Sequence, residues 1–247
     1  MSVTRVVVNS TIKGLTRILC RIEDDQLVNI PQEGPLIIVS NHINFLEVPL
    51  LYTHLQPRII TGFAKAETWE NPAMAYLFDL WQAIPLKRGE LDLKAFRLAM
   101  KALEDNKILA VAPEGTRSKN GQLGKGHPGV VILGLQSGAP LLPMIYFGSE
   151  SFHRNITRFQ RTEFHIRIGN QFYLDSRGER VTRITRNIMT DEIMYQLASL
   201  LPPYYRGYYE DLSLATQDYL RFPTDCKKDN LITKSPFQHV ERQFPID

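Results

Sequence analysis

A histidine and a carboxylate stand close together in the stretch SNHINFLE (40–47). His42 and Glu47 are five residues apart and follow the apolar run LIIVS (36–40). A neutral imidazole accepts a proton from a hydroxyl near neutral pH, and a carboxylate on its other ring nitrogen fixes the tautomer and stabilises the imidazolium. The spacing suits a histidine in a strand-to-helix turn and an acid in the helix's first turn. Two ordinary surface residues would give the same pattern, so the pair by itself leaves both interpretations open.

A second loop with chemical potential is APEGTRS (112–118), which follows the apolar run ILAVA. Gly115 permits a tight turn and a close approach of backbone N–H groups to a ligand. Arg117 offers a planar fork suited to a phosphate, and Thr116 adds a hydroxyl donor beside Glu114. A turn with a capping threonine and a solvated arginine is the alternative interpretation. A nucleotide P-loop is excluded because GxxxxGK[ST] occurs nowhere in the chain.

Basic side chains follow two other strand-like runs. Lys65 stands in FAKAETW and Arg88 in IPLKRGELD. Each alone is typical of a solvated surface charge. However, His42, Lys65, Arg88 and Arg117 all lie just past the ends of predicted strands. If those strands are parallel, the four side chains converge on one edge of the sheet, as a general base beside a cationic pocket. Such a site fits a hydroxyl compound that carries a phosphate.

The elements that must position these residues alternate between strands and helices. Apolar runs predict strands at 36–40, 58–64, 83–86, 108–113, 141–147 and 162–169. Helical patterns lie between them at 47–55, 72–81, 92–105 and 130–137. We therefore predict an α/β fold: a single domain with a largely parallel or mixed central sheet flanked by helices.

Two segments carry more specific expectations. The helix at 92–105 has Asp92 as its predicted N-cap. Its apolar residues fall largely on one side of a 3.6-residue period, and they are Leu93, Phe96, Leu98, Met100 and Leu103. The segment GAPLLPMIYFG (138–148) predicts a core strand with Pro143 at an edge or bulge, where packing is its default role.

Composition excludes several classes of protein. A hydrophobic content of 43% and a charged content of 22% are typical of a folded globular chain. The net charge of +3 is too small to argue for nucleic acid but suits anionic small molecules or an anionic membrane surface. Cys20 and Cys226 lack metal-ligand spacing, and we expect free thiols in a reducing compartment. We expect no metal site, no signal peptide and no transmembrane helix, since prolines and glycines break the long uncharged run 126–149.

Both flanks differ from this core. Residues 1–22 predict an amphipathic helix, with a basic row at Lys13, Arg17 and Arg21. Its apolar positions are Val8, Ile12, Leu15, Leu19 and Ile22. An interfacial membrane helix and a helix packed on the sheet both fit this pattern. We assign residues 23–222 to the main domain, with two helices expected in 181–220 on either side of LPPYYRGYY, and 223–247 to a polar tail. The role of the tyrosines in 204–209, core packing or membrane interface, stays open.

Four segments in this order resemble the blocks of the lysophospholipid acyltransferase family, particularly the bacterial 1-acyl-glycerol-3-phosphate acyltransferases. They are NHINFLE (41–47), IPLKRG (84–89), PEGTRS (113–118) and APLLPMIYFG (139–148). The resemblance covers about residues 34–170. The chain departs from the family pattern NHxxxxD at Glu47, where the family has aspartate.

The resemblance implies a glycerol-phosphate acyltransferase-like fold and a role for each matching residue. His42 would be the general base that deprotonates the glycerol hydroxyl, and Glu47 the acid that orients it. Arg88 and the loop of Glu114, Gly115, Thr116 and Arg117 would bind the glycerophosphate, as would Lys65, and Pro143 would shape the acyl-donor side. The co-substrate would be a fatty-acyl thioester of coenzyme A or of acyl carrier protein, a possible protein partner, with no metal or redox cofactor.

The expected reaction acylates 1-acyl-glycerol-3-phosphate to phosphatidic acid. Glycerol-3-phosphate or another lysolipid is an alternative acceptor, and a lipid-binding pseudoenzyme or a soluble phosphate-sugar enzyme is an alternative function. Because the substrates are lipids, the resemblance favours peripheral contact of residues 3–22 with the cytoplasmic face of a membrane. We expect Glu47→Asp to retain or raise activity, since aspartate is the family residue.

Overall fold

The computed structural model describes residues 3–87, 89, 92–118 and 120–223. Three features singled out in the sequence therefore lie outside the described residues. They are the predicted phosphate ligand Arg88, the second cysteine Cys226 and residues 224–247 of the predicted tail.

Seven strands build one mixed sheet. They are β1 Cys20–Glu23, β2 Leu36–Ser40, β3 Ile60–Lys65, β4 Ile84–Leu86, β5 Ile108–Val111, β6 Leu141–Phe147 and β7 Thr162–Ile168. Their order in the sheet is β1-β7-β6-β2-β5-β3-β4. Strands β2 to β6 are parallel to their neighbours among themselves, whereas β7 runs antiparallel to β6 and parallel to β1. Two short strands, β8 Tyr173–Leu174 and β9 Leu220–Arg221, form a separate antiparallel pair.

Helices cover both faces of the sheet. They are α1 Val3–Leu19, α2 Glu47–His54, α3 Pro72–Leu80, α4 Leu93–Glu104, α5 Gly129–Ser137, α6 Phe152–Thr157 and α7 Arg183–Leu200. The apolar side chains of α4, α5 and α7 form one buried cluster with the sheet. Those of α1, α2, α3 and α6 form the second cluster, on the opposite face. The predicted α/β fold with a mixed central sheet flanked by helices is confirmed.

The carboxyl ends of the parallel strands define the edge where the predicted site residues lie. Strands β2 and β5 are direct neighbours, with Val39 beside Val111. The loops that follow them, which carry His42 and Glu114, therefore leave the sheet side by side. In parallel sheets flanked by helices, ligands bind at this edge.

Pro143 lies in the middle of the sheet, and the prediction that it occupies an edge or bulge is wrong. It belongs to β6, which has neighbours on both sides, and it pairs with Val39 of β2. Its carbonyl accepts a hydrogen bond from the N–H of Gly169, so its nitrogen faces the same neighbouring strand. Strand β7 ends at Ile168, so the β6–β7 ladder ends beside Pro143. The N–H group that proline lacks is therefore not needed for a hydrogen bond within the ladder.

The first helix is shorter than predicted. It ends at Leu19, and Cys20–Glu23 form β1 instead of a last helical turn. The parallel pairing of Cys20 with Thr162 of β7 places this segment in the sheet. No local pattern indicated this strand, because its partner lies more than 140 residues away in the sequence. Cys20 is a buried free thiol, and burial raises its pKa to about 11.

The faces of α1 also differ from the predicted arrangement. Arg5, Asn9 and Thr16 are buried, and the side-chain oxygen of Asn9 accepts a hydrogen bond from the Trp81 indole at 2.9 Å. Of the predicted apolar stripe, Ile12 and Leu19 pack against the core, whereas Leu15 is exposed. The helix thus presents a second apolar surface to the outside, formed by Val3, Val6, Val7, Leu15 and Ile18.

The core face of α4 consists mainly of small residues. Asp92 caps the helix as predicted, accepting from the N–H of Ala95 at 2.9 Å. Of the predicted stripe, Leu103 is buried and Phe96 and Met100 pack against the core, whereas Leu93 and Leu98 are exposed. The remaining buried positions are Ala95, Ala99 and Ala102, because alanine lets a helix lie close to the sheet. The spacing of the large apolar residues alone therefore does not show which face of α4 is buried, because alanines form part of that face.

The second helix predicted in 181–220 is absent from the described chain. Helix α7 ends at Leu200, and Pro202 and Pro203 prevent its continuation. Three short 3₁₀ turns follow, at Pro203–Tyr205, Gly207–Tyr209 and Leu212–Leu214. The tyrosine-rich stretch therefore forms a compact irregular segment.

Candidate active site

The structure brings His42 and Glu47 into direct contact. The Nδ1 atom of His42 lies 2.6 Å from Oε2 of Glu47. The histidine side chain is 19% exposed and the glutamate side chain 3% exposed. With an ionised carboxylate as acceptor, the neutral imidazole carries its proton on Nδ1, which leaves the lone pair on Nε2. The pair is therefore arranged as a base with an accessible ring and a buried orienting acid.

The backbone before α2 holds the Glu47 carboxylate in place. Its Oε1 atom accepts hydrogen bonds from the N–H groups of Ile43 and Asn44, each at 2.8 Å. Glu47 is the first residue of α2, where the positive end of the helix dipole favours a negative charge. The additional methylene of glutamate is thus accommodated, since one oxygen reaches the backbone while the other contacts His42.

Two asparagines that we did not single out in the sequence fix the histidine loop. Asn41 is buried and exchanges two hydrogen bonds of 2.8 Å with the backbone N–H and C=O of Tyr146 in β6. Asn44 donates to the carbonyl of Ser149 at 3.0 Å. For Asn41, the signal available in the sequence was an amide directly after the mostly apolar run LIIVS, since buried amides need partners.

Glu114 is turned inward and holds the same loop from the other side. It is buried, and its two oxygens accept from the N–H groups of His42 at 3.0 Å and Gly124 at 2.7 Å. The carbonyl of His42 accepts in turn from the N–H of Ser118 at 2.7 Å. Burial raises the pKa of Glu114, while the two N–H donors oppose that rise. Glu114 thus ties the two loops together and also lines the cleft described below, and its predicted role in substrate binding stays a prediction.

Thr116 and Arg117 lie on the outer side of the same loop and are exposed. They line an open cleft of about 670 Å³. Gly115 has a φ of +66°, and a side chain there would meet the ring of His127 at 3.3 Å. The glycine is therefore needed for the turn that directs Arg117 into the cleft.

The further residues that line this cleft, none of them predicted to bind a ligand, include Lys125, His127, Tyr204, Tyr208 and the acid Glu210. The Nζ atom of Lys125 lies 5.5 Å from the centre of the Tyr208 ring. The segment GKGHPG (124–129), directly after PEGTRS, was the available sequence signal for Lys125 and His127.

The tyrosine-rich stretch has two faces. Tyr205 and Tyr209 are buried in the core, whereas Tyr204 and Tyr208 are exposed and line the cleft. Backbone hydrogen bonds of 2.9 Å from Leu123 to Tyr205 and from Tyr208 to Leu123 fasten the stretch to the loop after β5. One side of the stretch thus belongs to the core and the other to the cleft.

Lys65 lies apart from this cleft. It is the last residue of β3, which is separated from β2 by β5. Its Nζ atom is 3.3 Å from a carboxylate oxygen of Glu67, and both side chains are about half exposed. The structure therefore brings His42, Glu47, Glu114 and Arg117 into adjoining loops but leaves Lys65 in a local ion pair.

This arrangement can remove a proton from a hydroxyl beside a binding site for an anion. The lone pair on Nε2 of His42 is available to accept a proton, and Arg117, Lys125 and His127 place cationic or hydrogen-bonding groups in the adjoining cleft. Guanidinium and ammonium groups are the side chains that proteins use for phosphate.

Curated relatives share part of the chain. It is 28% identical over 127 residues to the chloroplastic 1-acyl-sn-glycerol-3-phosphate acyltransferase of Brassica napus, covering 50% of this chain and 36% of that protein. It is 31% identical over 137 residues to the 1-acyl-sn-glycerol-3-phosphate acyltransferase of Pseudomonas aeruginosa, covering 53% and 52%. The aligned segment thus spans only about a third to a half of these relatives' length.

A solved structure and a family model extend the comparison. The fold is similar to that of the 1-acyl-sn-glycerophosphate acyltransferase of Thermotoga maritima, with a TM-score of 0.57 and 19% sequence identity over 76% of this chain and 78% of that one. The sequence model of the Acyltransferase family matches residues 21–147, which hold both His42–Glu47 and the PEGTRS loop. Because this match covers just over half of the 247 residues, the chain belongs to the acyltransferase family.

Proposed function

We propose that the protein transfers a fatty-acyl group from a thioester to the free hydroxyl of 1-acyl-glycerol-3-phosphate, giving phosphatidic acid. The observation that carries this proposal is the contact of 2.6 Å between His42 and Glu47 at the edge of the sheet where β2 ends. The printed names of the Brassica and Pseudomonas relatives support the choice of acceptor.

In the proposed reaction, the acceptor hydroxyl attacks the thioester carbonyl while Nε2 of His42 takes its proton. Glu47 stabilises the resulting imidazolium and keeps its free N–H directed at the reacting atoms. The tetrahedral intermediate then collapses, the C–S bond breaks, and the imidazolium returns the proton to the leaving thiolate. No covalent acyl-enzyme, metal or redox cofactor takes part in this proposal. The donor is a fatty-acyl thioester of coenzyme A or of acyl carrier protein.

The acceptor phosphate occupies the cleft beside this pair in our proposal. Arg117 is the main ligand, with Thr116 as a hydroxyl donor and Lys125 as a second cation that lines the cleft. Lys65 makes a weaker case because its ammonium group already contacts Glu67. Arg88 stays a predicted phosphate ligand.

We further propose that α1 holds the protein on a membrane surface, where both lipid substrates reside. Its outward residues include Val3, which is 80% exposed, and Ile18, which is 70% exposed. Lys13 and Arg17 lie along one edge of that apolar surface and would attract anionic lipid. Among the described helices none is both long and apolar enough to cross a bilayer.

The test of the enzymatic proposal is a panel of acceptors and thioester donors with purified protein, in which product lipids are identified by mass spectrometry. We expect phosphatidic acid from 1-acyl-glycerol-3-phosphate, and a loss of about 10² to 10⁴ in rate for His42→Ala, which is the range for a general base. Turnover by His42→Ala at the wild-type rate would refute the assigned role. Lysolipid binding without turnover of any thioester would identify a lipid-binding pseudoenzyme instead.

The membrane proposal needs a separate measurement. We expect the double variant Val7→Ser/Ile18→Ser to sediment less with vesicles of phosphatidylcholine and phosphatidylglycerol than the wild type does. Both side chains are exposed, so the fold should survive the change, and a thermal unfolding curve would verify this. Equal sedimentation of the two proteins would reject α1 as a membrane contact.

A further inference from the structure

The turn that follows α6 presents a phenylalanine entirely to solvent. Phe159 is 100% exposed, and Ile156 in the preceding helical turn is 42% exposed. We call residues 152–161, which comprise α6 and this turn, the α6 tip. A phenylalanine that buries nothing in the folded chain contributes no hydrophobic stabilisation there, which raises the question of what covers it.

The backbone of the α6 tip would favour glycine at this position. The N–H of Gln160 donates to the carbonyl of Asn155 at 2.9 Å, and the N–H of Phe159 donates to that of Ile156 at 3.3 Å. These two bonds define a Schellman motif, whose left-handed residue is usually glycine. Phe159 has a φ of +54°, a conformation that is unfavourable for a bulky side chain. The fold thus holds a large apolar group outward at a position where glycine would be less strained.

Basic residues flank this phenylalanine in the sequence. Residues 151–162 contain Arg154, Arg158 and Arg161 and no acidic residue. All three arginines are exposed. A projecting aromatic ring among arginines is complementary to an anionic bilayer, in which the ring enters the apolar region and the guanidinium groups meet the headgroups.

The α6 tip is fastened to the end of α1. The guanidinium of Arg161 donates to the carbonyls of Arg17 and Cys20, each at 2.7 Å. In the sheet, Thr162 pairs with Cys20, directly after α1. Helices α1 and α6 also pack on the same face of the sheet. The exposed apolar surface of α1 and Phe159 therefore belong to one side of the molecule.

The α6 tip also contacts the catalytic loop. The ring of Phe45, which lies between His42 and Glu47 in the sequence, meets the ring of Phe152 edge-on with centroids 5.6 Å apart. Phe45 is itself partly exposed. A surface held against the α6 tip would thus lie next to the loop that carries the proposed base.

We propose that the α6 tip is a second membrane-docking element, which inserts Phe159 into an anionic bilayer and brings the His42 loop to the bilayer surface. A bilayer fits better than a protein partner because Phe159 projects from a convex turn, whereas a partner protein typically meets an apolar residue within a broader flat or concave surface. Only the benefit to catalysis rests on the proposed acyltransferase function; the docking itself does not.

The experiment compares binding of the full chain and two matched variants to vesicles of phosphatidylcholine and phosphatidylglycerol. Phe159→Ser removes the projecting ring. Ile184→Ser removes a side chain that is 72% exposed at the start of α7, on the opposite face of the sheet. We expect Phe159→Ser to weaken binding about tenfold or more, the loss expected for one large apolar side chain. We expect Ile184→Ser to bind like the wild type.

A spectroscopic arm locates the side chain directly. We expect the emission of Phe159→Trp to shift to shorter wavelength and to be quenched by brominated lipid when vesicles are added. The emission of Ile184→Trp should not change. In both variants, the emission of the native residues Trp69 and Trp81, measured in the wild type, is subtracted. Unshifted emission of Phe159→Trp, or wild-type binding by Phe159→Ser, would overturn the proposal.

Three further outcomes separate this proposal from the alternatives. Loss of vesicle binding in Phe159→Ser, in a protein that shows no acyl transfer, would support docking while the enzymatic proposal fails. If the wild type does not bind vesicles but acylates a water-soluble short-chain acceptor, the docking proposal is wrong and the enzymatic one stands. Binding of an acidic acyl carrier protein that depends on Phe159, without vesicle binding, would assign the tip to a protein partner and overturn docking.

Discussion

The Nδ1 atom of His42 lies 2.6 Å from Oε2 of Glu47, while Oε1 of the same carboxylate accepts two backbone N–H groups. One carboxylate therefore fixes both the ring and the loop that carries it. Since the glutamate is almost fully buried, water does not compete for these contacts. This single relationship determines the expected effects of two substitutions.

Glu47→Gln should abolish most activity without unfolding the protein. The amide oxygen is needed to accept from Ile43 and Asn44, so the NH₂ group must face His42. A donor at that place forces the imidazole proton onto Nε2, the atom that must act as the base. We expect a fall in kcat of about 10³ to 10⁴, comparable to a triad with the wrong tautomer. Steady-state kinetics and thermal unfolding, compared with the wild type, test this; an unchanged kcat would contradict it.

Glu47→Asp should lower activity as well, which reverses the expectation drawn from the family motif. Aspartate is shorter by one C–C bond, about 1.5 Å, and cannot keep three contacts that glutamate makes at 2.6 to 2.8 Å unless the loop moves. Misplacement on this scale costs up to about 100-fold in rate. The measurement is kcat with a saturating donor, and an activity at or above that of the wild type would show that the loop adapts.

Glu114→Ala should destabilise the protein and disturb the catalytic loop. The change leaves the N–H groups of His42 and Gly124 without their acceptor in a buried site. Each such group costs about 1 to 3 kcal/mol. We expect the free energy of unfolding in urea to fall by about 2 to 4 kcal/mol, the sum for two groups that are partly rehydrated. As a control, Glu104→Ala removes an exposed carboxylate from α4 and should change neither stability nor kcat.

Arg117→Met and Lys125→Met should each weaken binding of the phosphate-bearing acceptor more than they slow the reaction. Loss of a charge-assisted hydrogen bond corresponds to about 10- to 100-fold in KM. Lys94→Met serves as the matched control because it removes an exposed cation from α4, outside the cleft. The same variants should differ little from the wild type with an uncharged monoacylglycerol acceptor. Equal losses on both acceptors would mean that the cleft does not bind the phosphate.

His54 should make the protein sensitive to acid. Burial, and then the nearby charge of Lys13, lowers the pKa of His54 from 6.5 to about 4 in the folded chain. Between these values the unfolded chain binds a proton that the folded chain does not, so stability falls as the pH falls from 6.5 to 4. We expect the free energy of unfolding of His54→Gln to depend less on pH over this window. Parallel curves for the two proteins would contradict the shifted pKa.

The sequence by itself determined the types of the elements between β2 and β7 and the place of the chemistry. Its apolar runs are short and separated by helical patterns, and these local periods follow from backbone geometry alone. The positions of His42 and Glu114 just after two such runs placed them at one edge of a parallel sheet, where the structure has them. The segments NHINFLE and PEGTRS then indicated the family through their resemblance to its sequence blocks.

Only the tertiary structure decided which way the side chains face. Glu114 accepts from residues 72 and 10 positions away, so its inward orientation depends on how two loops pack. The buried polar face of α1 likewise depends on Trp81, and the cleft combines the loop after β5 with Tyr204 and Tyr208. These contacts join residues distant in sequence, and no local period encodes them. The periodicity of α1 allowed either face to be buried, and packing selected the one that combines Arg5, Asn9 and Thr16 with Ile12 and Leu19.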